Sequence, residues 1–289
     1  MRAARLHEIG GVPQIDEVDP PAGETFEVVA VPLNPIDVAI GTGRFYGGSP
    51  ETPYVIGSEA IGRAADGRLV WWRGPATAAQ RAVAGETVDV LDRIEPELAA
   101  ACGIAGVTGW LAVTWRMPVR EDDTVLVLGA SGTAGGIALQ AAKFLGAKRV
   151  IGAARHLDAV PDVADEKVDV DGDLPEATLI VDALWGGPLE RALSSAAHGA
   201  RIVHFGQSAE PTATLPSAAV RGKMIDLYGH SLFAIPREIV ARGFHELCAH
   251  VAAGRIDAAV EVYEFERVAE AWERQASGSP RAKVVLTLS

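Results

Sequence analysis

The apolar run Val125-Leu126-Val127-Leu128 passes directly into a glycine-rich turn, Gly129-Ala130-Ser131-Gly132-Thr133-Ala134-Gly135-Gly136, and residues 137–145 continue with helical texture. A continuous apolar run of this length suits a parallel strand covered on both faces. In the turn, Ala130, Gly132 and Gly135 keep the G/A-x-G-x-x-G spacing of dinucleotide-binding turns. The chain there has to turn tightly and let a pyrophosphate approach bare backbone at Gly132. It also has to aim the helix's unpaired N–H groups and positive dipole end at that phosphate. A purely structural turn can look the same, but the order strand, turn, helix favours a cofactor site formed by Ala130, Ser131, Gly132, Thr133, Ala134 and Gly135.

The texture around this turn sets the fold class. Further apolar runs at Arg149–Ala154, 178–183 and 201–206, with a helical stretch at 189–197, give the repeating pattern of a doubly wound parallel sheet. Before it, short apolar runs at 26–31, 54–57 and 67–72, punctuated by Gly and Pro, read as strands of a small β-rich domain. An Ala- and Leu-rich stretch at 97–115 reads as a helical bridge between the two. After it come a helix at 236–253, a strand at 260–263, a helix at Val268–Ala276 and a strand at Lys283–Thr287. The expected fold is α/β, with about two domains for 289 residues.

Composition narrows the function. A formal net charge of -12 opposes a basic nucleic-acid groove or an anionic membrane surface. Two cysteines, Cys102 and Cys248, cannot build a disulfide framework or a four-cysteine zinc site, and they suit a reducing cytoplasm. The first residues lack the apolar core of a signal peptide. Apolar stretches elsewhere read as shorter than the roughly 18 residues that span a bilayer.

The end of the second strand of the parallel sheet decides which dinucleotide is expected. An NAD site places Asp or Glu there for the ribose hydroxyls. Here the chain reads Ala153-Ala154-Arg155-His156. The planar donor fork of Arg155 suits the 2′-phosphate of NADP, so NADPH is the expected cofactor. A solvated surface Arg is the plain alternative.

Taken in order, Leu33-Asn34-Pro35-Ile36-Asp37, Gly57-Ser58-Glu59-Ala60-Ile61-Gly62, Gly106-Val107-Thr108-Gly109, the glycine turn and Ala282-Lys283-Val284-Val285-Leu286 cover nearly the whole chain. Together they resemble the medium-chain dehydrogenase/reductase superfamily, in its zinc-free quinone oxidoreductase-like branch. The resemblance implies a GroES-like barrel domain over 1–115, a Rossmann domain over 116–235, a return to the first domain over 236–289, and an active site in the cleft between domains. It implies a homodimer joined through the Rossmann sheets.

In relatives that use catalytic zinc, a Cys sits near the Asp37 position and a His in the middle of the G-H-E motif. Asp37 and Ser58 offer neither thiolate nor imidazole, so no metal site is expected. The resemblance points to Asn34, Asp37 and Tyr46 as groups facing substrate, with Tyr46 or Asn34 polarising the substrate oxygen. It points to Thr108, Gly206, Gln207, Ser231, Leu232 and Phe233 as groups around the nicotinamide. Tyr46 filling a loop and Asn34 holding a turn are the plain alternatives. Relative to the family the first domain is compact, and no full helix follows Arg155.

Other motifs carry less. In His245-Glu246-Leu247-Cys248-Ala249-His250 the second imidazole falls one residue too late to share a metal from one helix face. His204 reads as a packed histidine and Cys102 as a small buried apolar residue. Ser131 lacks the final glycine of a hydrolase elbow. The leading expectation is a zinc-independent, NADPH-dependent reductase of a quinone or α,β-unsaturated carbonyl compound. The alternative is a non-catalytic NADPH-binding redox sensor or scaffold, favoured by the few acid-base residues and the compact first domain.

Overall fold

The computed structural model describes residues 1–278 and 282–288. In chain order the first elements are β1 (Arg2–Leu6), β2 (Gln14–Glu17), β3 (Phe26–Pro32), α1 (Pro35–Gly41), β4 (Tyr54–Val55), β5 (Glu59–Arg63), β6 (Leu69–Arg73), β7 (Arg81–Ala82), β8 (Thr87–Asp89) and α2 (Pro96–Ala101). There follow α3 (Val107–Leu111), β9 (Thr124–Leu128), α4 (Thr133–Phe144), β10 (Arg149–Ala154), β11 (Glu166–Asp169), β12 (Ala177–Asp182), α5 (Gly186–Ser195) and β13 (Ala196–His204). The last are α6 (Ser217–Gly222), β14 (Asp226–Gly229), α7 (Arg237–Ala252), β15 (Val260–Glu264), α8 (Val268–Ala276) and β16 (Lys283–Thr287).

The chain forms two compact units, one of Met1–Ile104, Phe244–Ala252 and Ala258–Ser289, the other of Ala105–Gly243 and Ala253–Asp257. The divisions at 104 and 243 differ from the sequence-based ones at 115 and 235 because they fall inside helical runs, Pro96–Arg116 and α7, where no turn residues announce a boundary. The run Pro96–Arg116 has 21 residues and enough apolar character to cross a bilayer, contrary to the expectation that every apolar stretch is too short; 67% of its most apolar stretch is buried inside the protein.

The first unit is β-rich. One sheet runs β2-β1-β4; the other runs β15-β16-β3-β5-β6-β8, with β7 added to β3. Val28, Val31, Trp72, Trp272, Val284 and Leu286 are among the side chains that fill its core. In the antiparallel pairing of β16 with β3, Val285 sits opposite Pro32, which brings Lys283 to the point where the chain leaves β3 for Asn34.

The second unit carries a six-stranded sheet in the order β11-β10-β9-β12-β13-β14, every pair parallel. This is the doubly wound order, with its switch point between β9 and β12. Leu126, Leu128, Ile180 and Ile202 pack with Leu189 and Leu193 of α5. The α5 helix starts three residues before its expected position because Pro188 is tolerated in a first helical turn, and it ends at Ser195 because Ala196 already begins β13. Strands β11, Glu-Lys-Val-Asp, and β14, exposed at all four residues, carry no apolar pattern and escape a reading based on burial.

Candidate active site

Four strands of the second unit, β10, β9, β12 and β13, are neighbours, so their carboxyl ends share one edge. The glycine turn leaves β9 at this edge. A Cβ on Gly135 would stand 2.2 Å from the Gly129 carbonyl oxygen, so only glycine lets α4 start that close to the strand. A Cβ on Gly132 would meet only the same oxygen, at 3.5 Å, so that side of the turn is open backbone. Gly132 precedes the first turn of α4, whose N–H groups have no acceptors within the helix. Ala130 and Ser131 are buried, and Thr133 and Ala134 half-buried. Arg155 stands exposed one residue beyond β10, with no ion pair among the described residues.

At β12 and β13 the edge carries a feature the sequence reading missed. Asp182, fully buried, accepts backbone N–H bonds from Leu184 (2.9 Å) and Trp185 (3.0 Å) on one oxygen and faces His204 Nδ1 at 2.8 Å with the other. Trp185 lies on His204, ring centroids 4.1 Å apart, with a backbone at φ 60° and ψ -170° that a non-glycine residue rarely takes. His204 is therefore an oriented, half-buried imidazole as well as a packed one. Gly206 and Gln207 follow it, half-buried and exposed respectively.

His230 ties the remaining expected residues together. Its backbone N–H donates to the His204 carbonyl at 2.8 Å, its ring lies edge-on to Phe205, and Nε2 contacts the Thr108 carbonyl at 3.1 Å. Burial pushes its pKa down to about 4, with the Thr108 bond opposing and Arg116 assisting, so the ring is neutral and donates to Thr108. Its Nδ1 is buried without a partner. Thr108 thus lies beside the segment that begins at Ser231. Ser231 and Phe233 are exposed there, whereas Leu232 is 3% exposed and offers a ligand its backbone rather than its side chain.

The first unit holds a second cluster, inside its core. Lys283 Nζ donates to Asn34 Oδ1 (2.5 Å) and to the Leu33 carbonyl (2.8 Å). Asn34 Nδ2 donates to Glu59 Oε1 (2.8 Å) and weakly to the Pro32 carbonyl (3.4 Å). Glu59 Oε2 accepts from Trp71 Nε1 and from the backbone N–H of Ile104, each at 2.7 Å. Gly103 makes the last bond possible: its ψ of -137° breaks the helix, and a Cβ there would sit 2.1 Å from the Glu59 oxygen. Asp37 Oδ2 accepts from Asn34 N–H at 2.7 Å. Burial pushes the Asp37 pKa up to about 6 and the Lys283 pKa down to about 8. Burial also raises Glu59, against the pull of Lys283 and of its N–H donors. Ser58 Oγ and Tyr54 Oη, both near Asp37, are buried without partners of hydrogen-bond geometry.

A profile of the family described as zinc-binding dehydrogenase matches residues 145–286. The human quinone oxidoreductase is 25% identical over 336 residues, covering all of this chain and 98% of that protein. The quinone oxidoreductase of Thermus thermophilus, whose structure was also solved in complex with NADPH, superposes over the full length of both chains with a TM-score of 0.84 at 25% identity. The chain is thus similar over its whole length to quinone oxidoreductases of the medium-chain dehydrogenase/reductase superfamily and shares their fold. A phenolphthiocerol/phthiocerol polyketide synthase subunit of Mycobacterium tuberculosis is 27% identical over 321 residues, and there this chain spans only 14% of the relative's length.

Two residues expected from the resemblance to face substrate stand differently in this structure. Asn34 is 1% exposed and its amide is engaged at both ends, its Nδ2 hydrogens by Glu59 and Pro32 and its oxygen by Lys283, so it has no donor left to polarise a substrate oxygen. Tyr46 is 86% exposed on the loop after α1, against Phe45. Asp37 and Ser58 lie together in the core of the first unit, and no group of three His, Cys, Asp or Glu side chains able to hold a metal occurs among the described residues. The sequence signal for this cluster is that Glu59 and Lys283 each stand immediately before three apolar or small residues at the start of a strand, Ala60-Ile61-Gly62 and Val284-Val285-Leu286.

Proposed function

We propose that this protein is a zinc-independent, NADPH-dependent reductase of quinones or α,β-unsaturated carbonyl compounds. The observation that carries the reading is the open backbone of Gly132 at the start of α4, with an uncommitted Arg155 at the end of the neighbouring strand. When bound, the nicotinamide supplies a hydride. The helix start and the turn backbone bind the pyrophosphate, and Arg155 pairs with the 2′-phosphate. Thr108, Gly206, Gln207 and the 231–233 segment line the nicotinamide end. The quinone oxidoreductase relatives and the NADPH complex of one of them support this assignment. Asp37 and Ser58 in the places where zinc-using relatives carry Cys and His support independence from zinc.

A homodimer joined along β14 and a reducing, cytoplasmic setting belong to the same proposal. The exposed edge strand β14 and the free, buried Cys102 and Cys248 are in keeping with them. One observation favours the alternative of a non-catalytic NADPH-binding sensor, namely that Asn34 is consumed internally and Tyr46 is exposed.

Nucleotide fluorescence titration of the purified protein with NADPH and NADH, repeated with Arg155→Ala, tests the cofactor half. NADPH is expected to bind in preference, and the variant is expected to lose about 10- to 100-fold in NADPH affinity, the worth of hydrogen bonds to a charged group. Binding of neither nucleotide overturns both readings. Oxidation of NADPH by an added quinone separates reductase from sensor.

A further inference from the structure

We propose that the imidazole of His230 recognises the carboxamide of the nicotinamide, its Nδ1 accepting a hydrogen bond from the amide N–H of that group. The inference rests on the NADPH reading and deepens it, and every residue it uses belongs to the second unit.

Topology says which half of a dinucleotide reaches His230. The sheet runs β11-β10-β9-β12-β13-β14, and the glycine turn stands at the carboxyl end of β9. With the pyrophosphate at that turn and the 2′-phosphate beside Arg155 after β10, the other half of the cofactor extends over the ends of β12, β13 and β14. His230 is the first residue after β14. The helix α3 ties it back to the turn. A Cβ on Gly109 would collide with the Ala134 carbonyl oxygen, so α3 and the start of α4 touch, and the carbonyl of the neighbouring Thr108 meets His230 Nε2 at 3.1 Å.

The imidazole is held in place by the protein's own contacts. Arg116 Nε donates to the Gly229 carbonyl at 2.9 Å, the His230 backbone N–H donates to the His204 carbonyl at 2.8 Å, and Phe205 stands edge-on to the ring. With the Nε2 hydrogen committed to Thr108, Nδ1 carries the lone pair and can only accept. His230 is 5% exposed, and Nδ1 is buried without a partner. A buried acceptor left unpaired is costly, and it marks the place of a missing donor. At the nicotinamide end of the cofactor the carboxamide alone carries N–H donors. Because burial holds the imidazole neutral down to about pH 4, Nδ1 stays an acceptor at every pH where the cofactor would be used.

The test is calorimetric titration of the full chain with NADPH and with its reduced 3-acetylpyridine analogue, in which a methyl ketone replaces the amide. Wild type should bind NADPH about 5- to 100-fold more tightly than the analogue, the cost of leaving a buried acceptor unpaired. That ratio should collapse in His230→Gln, whose amide nitrogen can keep the Thr108 bond but offers nothing at the Nδ1 position. It should largely return in His230→Asn, whose amide oxygen can stand where Nδ1 stood. A role for His230 confined to holding Thr108 would lower both affinities and leave the ratio unchanged. In wild type carrying ¹⁵N-labelled histidine, the Nδ1 resonance of His230 should move upfield with NADPH and stay in place with the analogue. Equal affinities of wild type for the two nucleotides, or an Nδ1 resonance that NADPH leaves in place, overturns the proposal. Binding of neither nucleotide overturns the NADPH reading beneath it.

Discussion

Lys283 donates its ammonium to Asn34 Oδ1 at 2.5 Å across 249 positions of the chain, and both side chains are at most 2% exposed. Through the same amide the charge of Lys283 reaches Glu59. Removing one member leaves the other carrying an uncompensated buried charge. Lys283→Met should therefore cost about 3–5 kcal/mol, read as a lower denaturant midpoint. The double variant Lys283→Met/Glu59→Gln should recover much of that loss, because the amide restores neutrality. A double variant no more stable than Lys283→Met would show that the two groups are not coupled.

The raised pKa of Asp37 sets the sign of a pH effect on stability. The fold favours the protonated form, so relative to Asp37→Asn the wild type is at its most stable below the unfolded value of 3.8 and loses ground as pH rises through about 6. The full difference amounts to about 3 kcal/mol. Urea unfolding of both proteins between these limits measures it. Lys283, at about 8, titrates above that window. A difference that stays flat with pH would mean that Asp37 is ionised in the folded protein.

Two glycines of the turn separate folding from binding. Gly135→Ala drives a methyl into the Gly129 carbonyl and should destabilise by about 1–3 kcal/mol. Gly132→Ala meets nothing closer than 3.5 Å, so it should fold normally and lose NADPH affinity, because its methyl occupies the approach of the pyrophosphate. Thermal melts and nucleotide titrations of the two variants give the comparison. Equal losses of stability would remove the distinction.

The β14 edge exposes Leu227 (41%) and Tyr228 (38%), with Met224 (66%) just before the strand. If this edge pairs two copies, Leu227→Lys should shift the sedimenting species from dimer to monomer while leaving the melting temperature of the monomer unchanged. Wild type that sediments as a monomer at every concentration would end the dimer proposal.

The elements legible beforehand are those whose function is written in local pattern. β9, its turn and α4 follow from apolar continuity and glycine spacing; β10, β12, β13 and the C-terminal elements follow from runs bounded by turn residues. Strands β1, β2, β11 and β14 were not legible, since short or charged strands gain their stability from partners in the sheet rather than from their own sequence. The glycine turn after β9 and Arg155 after β10 take their positions from the local pattern of one segment. Asn34 could not be assigned. The same amide that suits a substrate oxygen equally suits Lys283 and Glu59, and only the packing of β16 beside β3 shows which of them it meets.

The sequence by itself determined the parallel sheet, the glycine turn that opens α4 and the cation at the end of β10, because each depends on residues within a few positions of one another. The tertiary structure alone decided that Asp182 orients His204, that His230 joins Thr108 to the 231–233 segment, and that Lys283, Asn34, Glu59 and Asp37 share one buried cluster. The reason is physical. A side chain's partner, and with it the proton it holds, is set by burial and by contacts between residues far apart in the chain, and those exist only once the sheets have formed.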